Sequence, residues 1–179
     1  KYALPETAGT QDFLGLNYYT CDQIRFNPFA PSQFFARLFL PKDTLLSESG
    51  MIAHVPQGMV AAVKWGHQFG APMIITENGI DDEEDGLRPQ YLVEHLHALW
   101  RVINDNYPVE GYFHWTLVDN FEWERGWTQH FGLWGLDRET QARVRRPSAD
   151  LYGEICRTNG ISSEAVEKYA PGAMLKLFP

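Results

Sequence analysis

Glu77 is the residue of this chain best placed to do chemistry. It ends the run Met73-Ile74-Ile75-Thr76 and is followed at once by Asn78-Gly79. The run reads as a buried strand. Asn-Gly, which tolerates positive φ, predicts an abrupt stop after it. A carboxylate at the end of a buried strand costs free energy unless other groups hold it. In parallel α/β proteins that end of a strand is where ligands and chemistry collect. The segment Ile74–Gly79 alone fits equally well a strand closing in an ordinary hairpin turn, with Glu77 in water. Two further gatherings of polar and aromatic groups follow strand-like runs. One is Trp115, Glu122 and Trp123, and the other is Asn17 and Tyr19. Brought to one mouth, these residues offer two carboxylates, a phenol and two indoles. Indole faces stack on the C–H face of a pyranose, and a carboxylate accepts hydrogen bonds from neighbouring hydroxyls. The remaining carboxylate is then free to attack an anomeric carbon or to steady a developing cation.

Three strands must converge to build that mouth. The sequence predicts them over Asp12–Tyr19, Met73–Thr76 and Gly111–Leu117, with a short extended piece at Phe131–Leu136. Helices are predicted over Pro56–Phe69, Arg88–Asn104 and Pro147–Arg157, the first and last opened by a proline. Val60, Val63 and Trp65 are expected on the buried side of the first helix. Leu92, Leu96, Leu99 and Ile103 are expected on that of the second. Residues 21–55 read as a long irregular stretch carrying Phe26, Phe29, Phe34, Phe35 and Phe39. That stretch is either a lid or binding loop, or a loop packed by its own aromatics. Asp81–Asp85 reads as a solvated acidic turn. Strands alternating with helices imply an α/β protein with parallel strands and crossover helices. Three parallel strands with two open edges make a poor stand-alone domain.

Composition narrows the function classes. The chain has 179 residues, 44% hydrophobic and 21% charged, which describes an ordinary globular protein. Its net charge is −8, and Arg143–Arg146 is its densest basic run, so nucleic acid is not an expected partner. No apolar run approaches the roughly 18 residues of a membrane span, so no membrane association is expected. Aromatic residues make up 14%, with six Trp, which suits either a large core or a surface that stacks on flat ligands such as sugars. Cys21 and Cys156 form no metal or redox motif. They read as buried free thiols, with a single disulfide as the alternative. His114, His130 and Asp119 match no ligand spacing, so no metal is expected. The start at Lys1-Tyr2 lacks a Met, so upstream residues are expected, in a cytoplasmic protein.

The segments DFLGLNYYT (12–20), ITENG (75–79, with Ile74 leading) and GYFHWTLVDNFEW (111–123) resemble the signature segments of family 1 glycoside hydrolases, the β-glucosidase type. Phe131-Gly132-Leu133, Asp137 and Arg146-Pro147-Ser148-Ala149 fit the closing segment of the same family. The resemblance runs over about residues 12–158. It implies a (β/α)₈ TIM barrel, of which the three strands are the sixth, seventh and eighth. It also implies cleavage of β-glycosides with retention of configuration and without a cofactor. By this resemblance Glu77 is the nucleophile and Tyr19 hydrogen-bonds and orients it. Trp115 is the sugar platform, Glu122 and the Trp123 indole N–H bind glycone hydroxyls, and Asn17 supports the nucleophile.

The family's acid/base Glu lies in an Asn-Glu-Pro segment, and no such segment occurs here. A complete barrel needs about 250 residues. The expectation is therefore that residues 1–179 are the C-terminal portion of one barrel domain. A companion N-terminal segment would supply the first five strands and the acid/base. The alternative is a non-catalytic carbohydrate-binding or structural remnant. A carboxylate at Glu122 would repel phosphate, so the expected substrate is an unphosphorylated β-D-glycoside.

Overall fold

The computed structural model describes residues 5–7 and 9–179; the Lys1-Tyr2 start lies outside them. In chain order the strands are β1 (Leu14–Asn17), β2 (Gln23–Phe26), β3 (Ala36–Phe39), β4 (Met73–Asn78), β5 (Val109–His114), β6 (Trp134–Leu136) and β7 (Arg143–Arg145). The longer helices are α1 (Pro56–His67), α2 (Arg88–Asn104) and α3 (Pro147–Thr158), followed by the short α4 (Ser163–Tyr169) and α5 (Met174–Leu177). The three expected strands form one sheet in the order β1-β4-β5, and both pairings are parallel. Helices α1 and α2 are the crossovers between them, as the alternation predicts.

The sheet is covered on its helix side. Met73 and Ile75 of β4 are fully buried there, with Met59 and Val63 of α1 and Leu99 and Val102 of α2. Burying side chains of this size contributes about 1.5–3 kcal/mol each. The other side of the sheet carries the exposed Gly15, Asn17 and Phe113. A Cβ at Gly15 would come within 3.2 Å of Thr76, so the glycine leaves room for its neighbour on β4.

Helix α1 turns Met59, Val63 and Gly66 inward, a three-to-four-residue stripe. Trp65, expected on the buried side, lies off that stripe and is 59% exposed. On α2, Leu92 and Leu99 are buried as expected, whereas Ile103 near the helix end is 43% exposed. A second cluster packs Leu92 and Val93 of α2 against Leu151 and Ile155 of α3 and Val166 of α4. Helices α4 and α5 were not apparent in the sequence because each is too short to show a period. Ser162 starts α4 by accepting a hydrogen bond from the Ala165 N–H at 3.1 Å.

Four further expectations are corrected. Neither Asn78 nor Gly79 adopts positive φ, and β4 runs on through Asn78. Gly79 is required by close approach instead: a Cβ there would lie 1.8 Å from the Trp115 carbonyl oxygen. The stretch 21–55 is not irregular throughout, because β2 and β3 pair as an antiparallel hairpin. Phe26 stacks on Phe35 at 6.0 Å, but Phe29 and Phe34 at its tip are 92% and 94% exposed. The acidic turn is only partly solvated: Glu83 and Glu84 are exposed, but Asp81 and Asp85 are buried. Asp85 pairs with Arg88 and accepts from the Ser148 N–H and Oγ at 2.7 Å each, joining the starts of α2 and α3. Asp82 accepts from the N–H groups of Leu87 and Arg88 at 2.7 and 2.8 Å at the start of α2. Finally, the thiols are free but not buried: Cys21 is half-buried and Cys156 exposed. Among the described residues no helix is long and apolar enough to cross a membrane.

Candidate active site

The C-terminal ends of β1, β4 and β5 meet as expected, and Glu77 is at their centre. Asn17 is its register partner across β1–β4. The backbone there is pinned by the Tyr18 N–H, which donates to the Glu77 carbonyl at 2.9 Å. The Tyr19 hydroxyl donates to Glu77 Oε2 at 2.7 Å. Burial, followed by the hydrogen bond to Glu77 and the charges of Glu77 and Glu122, pushes the Tyr19 phenol far above its ordinary value. Tyr19 is therefore a permanent donor, able to fix a carboxylate oxygen but not to serve as a base.

Trp115 leaves the end of β5 with its N–H donating to the Asn78 carbonyl at 3.0 Å; its peptide bond to Thr116 is cis. The Trp115 indole Nε1 donates to Glu122 Oε1 at 3.0 Å, so the indole and the second carboxylate are joined directly. Asn17 is exposed, and its Oδ1 accepts from Thr76 Oγ1 at 2.6 Å, which ties it to β4 but not to the Glu77 carboxylate. Trp123 is not brought into contact with the others. It is 82% exposed at the rim, in a short 3₁₀ turn with φ of 44°.

The loop that carries Glu122 is anchored by Asp119. Its carboxylate accepts from Arg146 Nη1 and Nη2 at 3.1 and 3.0 Å and from the Gly132 N–H at 2.7 Å. Arg146 also donates to the carbonyls of Gly132 at 2.6 Å and Glu83 at 3.1 Å. Asp119 is thus committed to an ion pair and is no metal ligand. Burial, aided by the charge of Arg88, lowers His114 to about 3. Both its ring nitrogens are buried without a hydrogen-bond partner, so it is a neutral core residue. His130 lies 3.8 Å from Glu83, and with Glu48 the two form the one group of three potential donors among the described residues; both glutamates are exposed.

A buried hydrogen-bond hub behind the mouth is not apparent in the sequence. Asn78 Nδ2 donates to the Tyr18 carbonyl at 2.7 Å and to the Tyr91 hydroxyl at 2.9 Å. Its Oδ1 accepts from the Tyr112 hydroxyl at 2.9 Å. The Tyr91 hydroxyl in turn donates to the Tyr19 carbonyl at 2.6 Å. Asn78 looks like half of a turn signal, and Tyr91 like one more apolar helix position. Only the folded chain reveals that their polar atoms meet.

The chain belongs to glycosyl hydrolase family 1, whose model matches residues 3–161. It is 33% identical to a β-galactosidase of Pyrococcus woesei over 90% of this chain and 34% of that one. With β-glucosidase A of Thermotoga maritima it shares 36% identity over 84% of this chain and 35% of the relative. Among solved structures, the β-glycosidase of Thermosphaera aggregans superposes with a TM-score of 0.81 at 33% identity, covering 92% of this chain and 36% of that one. The chain therefore spans about a third of the length of the relatives it matches.

Proposed function

We propose that this chain is the nucleophile-bearing portion of a retaining β-glycosidase that removes terminal unphosphorylated β-D-glycosyl units. The observation that carries the reading is the Tyr19–Glu77 hydrogen bond of 2.7 Å at the mouth of a parallel sheet, with the Trp115–Glu122 pair at the same mouth. The three strands are taken as the sixth to eighth of a (β/α)₈ barrel, and a companion N-terminal segment as the source of the other five. The sheet itself supports this. Among the described residues β1 and β5 have no partner on their outer edges, and one face exposes Gly15, Asn17 and Phe113. Parallel sheets are stable when both faces are covered and their edges are managed.

In this reading Tyr19 engages Glu77 Oε2, which leaves Oε1 to attack the anomeric carbon. A carbon–oxygen bond forms to Glu77 as the glycosidic bond breaks. The leaving oxygen takes a proton from a carboxylic acid about 5–5.5 Å away, supplied by the companion segment. That acid, now a carboxylate, then deprotonates the water that displaces Glu77 and releases the sugar. Trp115 supports the sugar face, Glu122 and Trp123 bind hydroxyls of the glycone, and Asn17 steadies the strand end beside the nucleophile. No cofactor or metal takes part in these steps.

The test is turnover of an aryl β-glucoside by the chain alone and by the complete barrel. Turnover by the barrel and none by the chain is expected. Turnover by neither, with binding of the glycoside retained, would establish a carbohydrate-binding remnant instead. Charge repulsion at Glu122 further predicts that a 6-phosphoglycoside is the poorer substrate; preference for it would refute the specificity assigned here.

A further inference from the structure

We infer that Tyr91 is a positioning residue for the nucleophile, acting through Tyr19; this rests on the glycosidase reading of Glu77. The Tyr91 ring is fully buried on the first half of α2, one layer behind the mouth, stacked on His95 at 3.8 Å. Its hydroxyl is a single atom tied to both neighbours of the catalytic carboxylate. It donates to the backbone carbonyl of Tyr19, the residue whose phenol grips Glu77 Oε2. It also accepts from Asn78, the residue that follows Glu77 in β4.

Three elements are fastened at this point. Asn78 reaches the residue after β1 through the Tyr18 carbonyl, α2 through Tyr91 and β5 through Tyr112. Both hydrogens of its amide group are used, and its oxygen is occupied. Asn78 and Tyr91 are fully buried, so each bond lost leaves a buried polar atom without a partner. Tyr91 and Tyr112 differ in one respect that makes the inference testable. Both bind Asn78, but only Tyr91 also holds the Tyr19 carbonyl. Freeing that carbonyl lets the Tyr19 backbone shift, and with it the phenol that orients Glu77.

The experiment is a double-mutant cycle in the complete barrel, read as kcat and KM on an aryl β-glucoside. Tyr91→Phe keeps the ring and removes the hydroxyl. It is expected to lower kcat about tenfold with KM within about twofold. In a Tyr19→Phe background the same substitution is expected to change kcat less than about twofold, because the phenol it positions is gone. Tyr112→Phe is expected to change kcat less than about threefold. Should Tyr91→Phe not fold, p-aminophenylalanine at position 91, which keeps a donor for the Tyr19 carbonyl, is expected to retain near-native kcat. An equal kcat loss from Tyr91→Phe in both backgrounds would overturn the inference. So would a Tyr112→Phe loss as large as that of Tyr91→Phe, or a tenfold kcat loss with p-aminophenylalanine. Glu77→Gln with native turnover would instead remove the glycosidase reading beneath it.

Discussion

The floor and the rim of the mouth are built to different standards. On the floor, Glu77 sits in a strand paired on both sides, its oxygen held by Tyr19 and its chain neighbour Asn78 held by Tyr18, Tyr91 and Tyr112. At the rim, Glu122 and Trp123 ride on a loop and a three-residue 3₁₀ turn. That loop is tied to the body through Asp119 and through backbone bonds to the Phe131–Trp134 segment. The difference separates two tasks. A carboxylate proposed to react must be held within a fraction of an ångström, which takes rigid elements and satisfied buried polar groups. Hydroxyl recognition tolerates side chains that settle when the sugar arrives.

The largest expected effect tests the floor. Glu77→Gln in the complete barrel removes the proposed nucleophile while keeping size and hydrogen-bonding shape. Aryl β-glucoside turnover is expected to fall by a factor of about 10³ or more, with glycoside binding preserved. A near-native rate would move the chemistry to another residue and leave the floor without its assigned purpose. Next comes the tie between floor and rim. Asp119→Ala leaves the buried Arg146 guanidinium without its carboxylate, at a cost of about 3–5 kcal/mol in urea unfolding. Because the Asp119 loop carries Glu122, KM is expected to rise more than kcat falls. An unchanged KM would show that the rim keeps its shape without this anchor.

How much of this was legible in the sequence follows the same division. The three strands, their parallel order and the gathering of Tyr19, Glu77, Trp115 and Glu122 were legible, because short apolar runs ending in polar groups are local patterns. The hub at Asn78 was not, because its partners are 60, 13 and 34 residues away and carry no local mark of their pairing. Asp85 escapes the sequence for the same reason: a run of carboxylates looks solvated until Arg88 and Ser148 close over one of them. Gly79 in the sequence suggests a turn of positive φ, which the structure does not use. Its need is the nearness of the Trp115 carbonyl, which is set by the pairing of β4 with β5 rather than by the turn. Asn17 was placed at the right strand end, yet its side chain turns to Thr76.

A pH titration probes the floor from behind. Burial lowers His95 from 6.5 to about 3, so it is neutral in the folded protein through most of the acid range. The unfolded chain binds that proton near 6.5 and the folded chain does not until about 3. Stability from this group is therefore complete above about 6.5 and is lost as pH falls toward 3, by a few kcal/mol in total. Urea midpoints between pH 7 and pH 4 are expected to fall, and His95→Leu to flatten that part of the slope. An unchanged slope in the variant would mean that other groups dominate acid unfolding.

The smallest expected effect belongs to the rim. Trp123 is 82% exposed, so Trp123→Phe is expected to change stability by no more than about 0.5 kcal/mol. What it removes is one indole N–H assigned to a glycone hydroxyl, a neutral hydrogen bond worth about 0.5–1.5 kcal/mol. KM on an aryl β-glucoside is therefore expected to rise by about two- to tenfold with kcat nearly unchanged, the signature of binding shared by ground and transition states. Tyr19→Phe is expected to do the reverse, lowering kcat while sparing KM, because its partner is the proposed nucleophile Glu77 rather than the sugar. If Trp123→Phe lowered kcat as Tyr19→Phe does, the division between a rigid floor and an adjustable rim would fail. The rim would then have to tighten during the reaction itself, not merely on binding.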